Sequence, residues 1–208
     1  MQHTAWTRFG LPLARLFWGA LTVVALVATF GVSAAEAPVN PFNFFGYFTI
    51  QSNMLLAAVA LIAGALGLRR PGVQPQWIVT LRALATVCMI VVGLVYVTLL
   101  LPLGAAGGVP LPWANSVMHV IGPVLVIVDW LTSKDRKPLP WRMAFLLLAY
   151  PLTWTAVVLI RGATDGWVPY PFLNPAQGYG VVALYVALIA IVFFAVAAGV
   201  VWWSKKRP

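Results

Sequence analysis

The sequence predicts an all-α, polytopic membrane protein of six transmembrane helices, and three observations predict it. Of 208 residues, 62% are hydrophobic and only 8% charged, with mean hydropathy +0.93. No water-soluble domain of this length could carry that balance on its surface. Six apolar runs reach the roughly 20 residues that a helical span needs. Between them, Pro and Gly collect in Arg70–Pro75, Pro102–Pro112, Lys134–Pro140 and Pro169–Pro175, as connections require. Lipid offers backbone polar groups no partner, so spans are helices or closed barrels, and unbroken apolar runs select helices.

The expected spans are residues 13–33, 44–68, 77–103, 113–132, 142–161 and 178–203, in one domain covering 1–208. The net charge of +9 does not mark a nucleic-acid partner, because the basic residues sit beside span ends rather than along a soluble face. Twelve of the thirteen Lys and Arg residues flank one set of span ends, and only Arg161 flanks the other. The positive-inside rule then places both termini in the cytoplasm, with a basic rim that favours anionic lipid. Arg8 and Arg15, the apolar stretch after them and the run Ser33-Ala34-Ala35-Glu36-Ala37 also resemble a secretory signal, but the apolar part is longer than most signal cores. A retained first helix is the preferred reading. The single Cys88 lies mid-span and can form no intrachain disulfide.

The first span holds little polar content beyond Thr22 and Thr29 and reads as a packing helix. The second is entered by the aromatic run FNFFGYF and delivers Thr49, Gln51, Ser52 and Asn53 before uninterrupted hydrocarbon from Met54 to Leu68. Polar groups inside a bilayer are costly unless they face protein, which makes this cluster a functional candidate. Thr49, Ser52 and Asn53 share one helical face, with Thr49 about 8 Å below the outer interface and Gln51 pointing elsewhere. In the third span Arg82 can snorkel to the cytoplasmic side, and Tyr96 and Thr98 either line a pocket or belong to an aromatic belt, the belt being favoured.

The fourth span, WANSVMHVIGPVLVIVDWL, brings His119 to about 9 Å below the same interface, with Asn115 and Ser116 on its face. Asp129 is about 15 Å further along the axis and is expected to pair with a nearby Arg or Lys. The fifth span carries Pro151, a source of a kink, and ends at Arg161. The segment GATDGWVPYPFLNPAQGYG then folds back over the helix ends as a cap. The sixth span is featureless apart from Tyr185 and ends in a Trp-Trp-Ser-Lys-Lys-Arg interface anchor.

A hydroxyl is a weak nucleophile until a base takes its proton, and His119 is the only titratable base in this layer that could serve Thr49. The other histidine, His3, lies in a tail. Both helices present their N-termini outward, so their dipoles favour a developing oxyanion there. Asn53 and Asn115 are candidate oxyanion donors or helix bridges; Ser52, Ser116 and Tyr96 are weaker pocket candidates. A hydroxyl bonded to the Phe45 carbonyl is the structural alternative for Thr49. Two distant histidines and one buried cysteine supply no metal set, and no cofactor motif is present.

Phe48-Thr49 opening the second span, Trp113-x-Asn115-x-x-Met118-His119 with Asp129 ten residues on, and Trp167-Val168-x-Tyr170-Pro171-Phe172-Leu173 before the last helix together resemble the androgen-induced protein family. That family, with its androgen-dependent TFPI-regulating member, consists of multipass membrane threonine hydrolases that cleave fatty acid esters of hydroxy fatty acids. The resemblance implies Thr49 as nucleophile and His119 as the catalytic histidine. The chain departs from the animal pattern at Ser116, in place of a second histidine, and at Pro123, one position early. Its Ala-rich, compact composition points to a bacterial relative, in the cell membrane.

The expected function is therefore hydrolysis of a lipid ester within the membrane, with membrane lipid as partner and no nucleic acid. Arg161, as the lone outward cation, is a candidate for the substrate's carboxylate or else an end anchor. The alternatives are a small proton or solute transporter and a lipid-binding protein without turnover. A conduit should continue inward past Asn53, where the second span is apolar.

Overall fold

A computed structural model describes residues 6–206, so His3 and Arg207 lie outside the described residues. Six helices are long and apolar enough to cross a membrane: Arg8–Glu36, Phe48–Arg69, Gln76–Gly104, Pro112–Thr132, Arg142–Thr164 and Tyr179–Ser204. Large apolar side chains such as Phe17, Val27, Ile160 and Ile191 project from their outer faces, as a lipid-facing bundle requires. No strand occurs among the described residues.

The first span packs along the second, and small residues bring the two backbones close. A Cβ on Gly19 would lie 2.8 Å from Leu61, and one on Gly64 would lie 2.8 Å from both Leu16 and the Pro12 carbonyl. The third span sits centrally, against the second, fourth and sixth. It buries Ile78, Val79, Val87 and Met89, while Trp130 of the fourth span donates its indole N–H to the Val200 carbonyl of the sixth.

Three irregularities shape the bundle. The second span begins at Phe48 because the aromatic run ahead of it folds as a separate turn of helix, Pro41–Phe44, capped by the Asn40 side chain accepting from Phe42 N. Gly46 follows, where any Cβ would lie 2.5 Å from the Trp167 ring, and extended Tyr47 starts the span proper. Thr49 thus lies in the first turn of the helix, which begins at Phe48 rather than at the expected Phe44.

The second irregularity lies in the third and fourth spans. The third opens into a π turn at Tyr96–Leu100. The fourth opens into another at Val117–Ile121, just before Gly122-Pro123. Pro123 has no N–H to offer the His119 carbonyl, so the helix cannot hold its regular ladder there. The two spans cross at Gly93, where a Cβ would meet Pro123 at 3.0 Å. In the third, the fifth span breaks at Leu147–Leu148, one turn before Pro151, as its ring requires.

The connections carrying most basic residues meet at one end of the bundle. Arg15 of the first span and Arg82 of the third each bind both Asp129 and Asp135, at 2.5–2.8 Å. Arg82 also donates to Ser133 and Gln74, and Gln74 donates to the Ala63 carbonyl. Arg136 closes the end by donating to the Trp130 carbonyl. Asp129 therefore pairs with arginine as expected. Arg82 does not snorkel: it is 4% exposed, because two carboxylates within the fold compensate its charge better than a reach to water would.

Candidate active site

At the opposite end, the first turn of the second span leaves backbone N–H groups without helical partners. The Thr49 N–H donates to the Tyr170 hydroxyl at 3.2 Å, and Thr49 Oγ1 lies 3.3 Å from the same oxygen. Thr49 is 7% exposed. Its hydroxyl is not tied back to Phe45, whose carbonyl accepts instead from Gln51 Nε2 at 2.8 Å. Gln51 also accepts from the Tyr150 hydroxyl at 2.7 Å, on a face away from Thr49.

His119 sits in the π turn of the fourth span and is 4% exposed. Its ring stacks on Tyr96 of the other π turn, centroids 4.3 Å apart. Nδ1 lies 3.2 Å from the Asn115 carbonyl oxygen, which can only accept. The proton therefore belongs on Nδ1, and Nε2 keeps the lone pair of a base. Tyr96 is in turn held by Asn115, whose Nδ2 donates to its hydroxyl at 2.7 Å. Tyr96 is thus a buried support for the imidazole, a correction to the aromatic-belt expectation. Its hydroxyl finds a partner inside the fold that an interfacial ring would seek in water.

Thr49 and His119 line one cavity of about 220 Å³, together with Tyr47, Tyr170, Thr29 and Ser33. A second, narrower cavity of about 60 Å³ is walled by hydrocarbon and aromatic groups including Phe48, Pro151, Trp154, Leu173 and Phe193. Thr49, Leu100 and Tyr170 belong to both, so the hydroxyl stands where a polar chamber meets an apolar slot.

The remaining sequence candidates take other places. Asn53 bridges two spans, its Nδ2 donating to the Thr49 carbonyl at 2.9 Å and the Met118 carbonyl at 3.3 Å. Asn115 accepts from Val109 N and supports Tyr96, so both Asn residues brace the site from behind. Ser52 is fully buried on the Cys88 side and Ser116 is exposed, its hydroxyl donating to the Pro112 carbonyl. Neither is among the residues lining the two cavities. Arg161 borders a separate hollow: it donates to Asp165 and Asn43 and stacks on Trp167, 4.2 Å from the ring centroid. Among the described residues, no three His, Cys, Asp or Glu side chains come together as a metal site.

Tyr170 was absent from the candidates. It comes from the segment between the last two spans, held between Pro169 and Pro171 and packed on Tyr47, Trp154 and Phe172. Burial pushes its phenol up, so it stays protonated at neutral pH. The signals for it in the sequence are its place in the motif Trp167-Val168-x-Tyr170-Pro171-Phe172-Leu173 and the Pro- and aromatic-rich composition of a segment expected to cap the helix ends.

The family model described as FAR-17a/AIG1-like protein matches residues 20–202. No curated protein and no solved structure matches the chain. The family match takes in Thr49, His119 and Tyr170 and extends into all six spans. The chain belongs to the FAR-17a/AIG1-like family, the androgen-induced proteins.

Proposed function

We propose that this protein is an intramembrane hydrolase of lipid esters, of the class in which a fatty acid is esterified to a hydroxy fatty acid. One observation carries the reading: a hydroxyl from the second span and an imidazole from the fourth, each buried, border the same cavity. Thr49 Oγ attacks the ester carbonyl carbon as its proton passes to His119 Nε2. The alcohol then leaves with that proton, and an acyl-threonine remains. Water, deprotonated by His119, attacks the acyl group and releases the acid, restoring Thr49.

The paired cavities suit a branched substrate. An acyl chain fits the hydrocarbon-walled slot beside Phe48 and Phe193, and the alcohol arm fits the chamber beside His119. In the proposed topology the site lies toward the outer leaflet of the cell membrane and both termini are cytoplasmic, following the basic residues.

The test incubates purified protein with a fluorophosphonate probe and with a branched lipid ester. Wild type should label and turn over, and both Thr49→Ala and His119→Ala should lose both activities. Unchanged labelling and turnover in the variants would remove the assignment.

A further inference from the structure

We propose, resting on the hydrolase reading, that Tyr170 is a further catalytic residue: its hydroxyl donates the hydrogen bond that holds the oxyanion. The sequence pointed to Asn53 and Asn115 for this task. Both N–H groups of the Asn53 amide are spent on the Thr49 and Met118 carbonyls. The Asn115 amide donates to Tyr96, and neither Asn is among the residues lining the chamber. Tyr170 does line it, on both sides of the Thr49 hydroxyl.

The hydrogen-bond inventory of Tyr170 leaves one free donor. Its oxygen accepts the Thr49 N–H and lies 3.3 Å from Thr49 Oγ1, a contact in which either hydroxyl can be the donor; in the proposed resting state Tyr170 donates. With Tyr170 as donor, the Thr49 proton is left for His119, which lines the same chamber. The accepted N–H belongs to the first turn of a 22-residue helix, so the positive end of that helix polarises the phenol and strengthens its donation. The phenol is buried and braced by Tyr47, Trp154 and Phe172, so it is oriented before substrate arrives.

The step balances without any further reagent. As Thr49 Oγ bonds the carbonyl carbon and its proton moves to His119, the C=O π pair moves onto oxygen. Tyr170 turns its O–H from Thr49 Oγ to that oxygen and keeps its proton throughout. When the pair returns to rebuild the carbonyl, the alcohol departs with the proton from His119.

Tyr170→Phe removes the hydroxyl and keeps the ring. For an oxygen ester, kcat should fall about 10²–10³-fold with KM little changed. For the matching thionoester, whose carbonyl sulfur accepts hydrogen bonds weakly, the loss should be far smaller. Retained kcat in Tyr170→Phe, with Thr49→Ala inactive, overturns the Tyr170 role and leaves the hydrolase reading standing. A rise in KM alone, or equal losses on both substrates with a lowered melting temperature, makes Tyr170 a wall of the pocket and also overturns the role. A wild type that cleaves no ester, or a Thr49→Ala that cleaves as well as wild type, overturns the reading and the role together.

Discussion

The two ends of this bundle bury polar groups in opposite ways. At the basic end, two guanidinium groups and two carboxylates close on one another, each arginine bound to both aspartates. At the other end, Thr49, His119 and Tyr170 line one chamber, and the imidazole is anchored through Nδ1 to the Asn115 carbonyl. The charges of the first cluster are matched within it and hold helices together, although Arg82 Nε is unpaired and Arg15, Arg82 and Asp129 border a cavity of about 430 Å³. The second cluster carries no matched charges, and its hydroxyls and imidazole border space with chemistry that can act on something else.

Substitutions should separate the two behaviours. Thr49→Ala should cut ester turnover by at least about 10³-fold, equivalent to about 4 kcal/mol of barrier. The same change should move stability by no more than about 1 kcal/mol, read as the melting temperature in detergent. Arg82→Met should do the reverse, costing about 3–5 kcal/mol of stability by leaving Asp129 and Asp135 under-compensated. Loss of folded yield with unchanged turnover per folded molecule is the expected readout; a fully stable variant would contradict the role assigned to the basic end.

Acid should act on the same end. Burial alone would raise the Asp135 carboxyl, but Arg82 and Arg15 outweigh burial and hold it at about 2, below its ordinary 3.8. A carboxylate depressed in the folded state contributes stability that is complete above its unfolded value and disappears as pH falls through the folded one. Melting temperature should therefore hold down to about pH 4 and drop from there toward pH 2, and Asp135→Asn should flatten that limb. A drop confined to pH 5–7 would point to a different group.

The smallest effect is expected at Arg161. It is engaged by Asp165 and Asn43 and borders a different hollow, so Arg161→Gln should change turnover of a free-acid ester and of its methyl ester to the same slight degree. A selective loss on the free acid would return Arg161 to the substrate's carboxylate.

Most of the architecture was legible because hydropathy is local: each span announces itself within its own residues, and the observed limits fall close to the expected ones except at two starts, the first span beginning at Arg8 rather than Leu13 and the second at Phe48 rather than Phe44. The latter start was hidden because FNFFGYF stays apolar across a backbone break at Gly46 and Tyr47. Thr49 and His119 were legible for a related reason, as polar residues in runs of hydrocarbon. Tyr170 was not, since its partner lies 121 residues away and nothing in a tyrosine's neighbours states which helix end it will cap. Arg82 misled in the same manner: a cation near a span end resembles an anchor until the distant carboxylates are known.

The π turn that holds His119 makes the fourth span a helix with two phases. Each residue advances a helix by about 100°, so removing one residue between Val117 and Ile121 would leave the hydropathy profile almost untouched while rotating one half of the rod against the other. Either the imidazole would swing toward lipid, or the lower half, with Asp129, would turn away from its arginines. The span therefore works as a mechanical linkage between the two ends, and its length is fixed by angle as well as by membrane thickness.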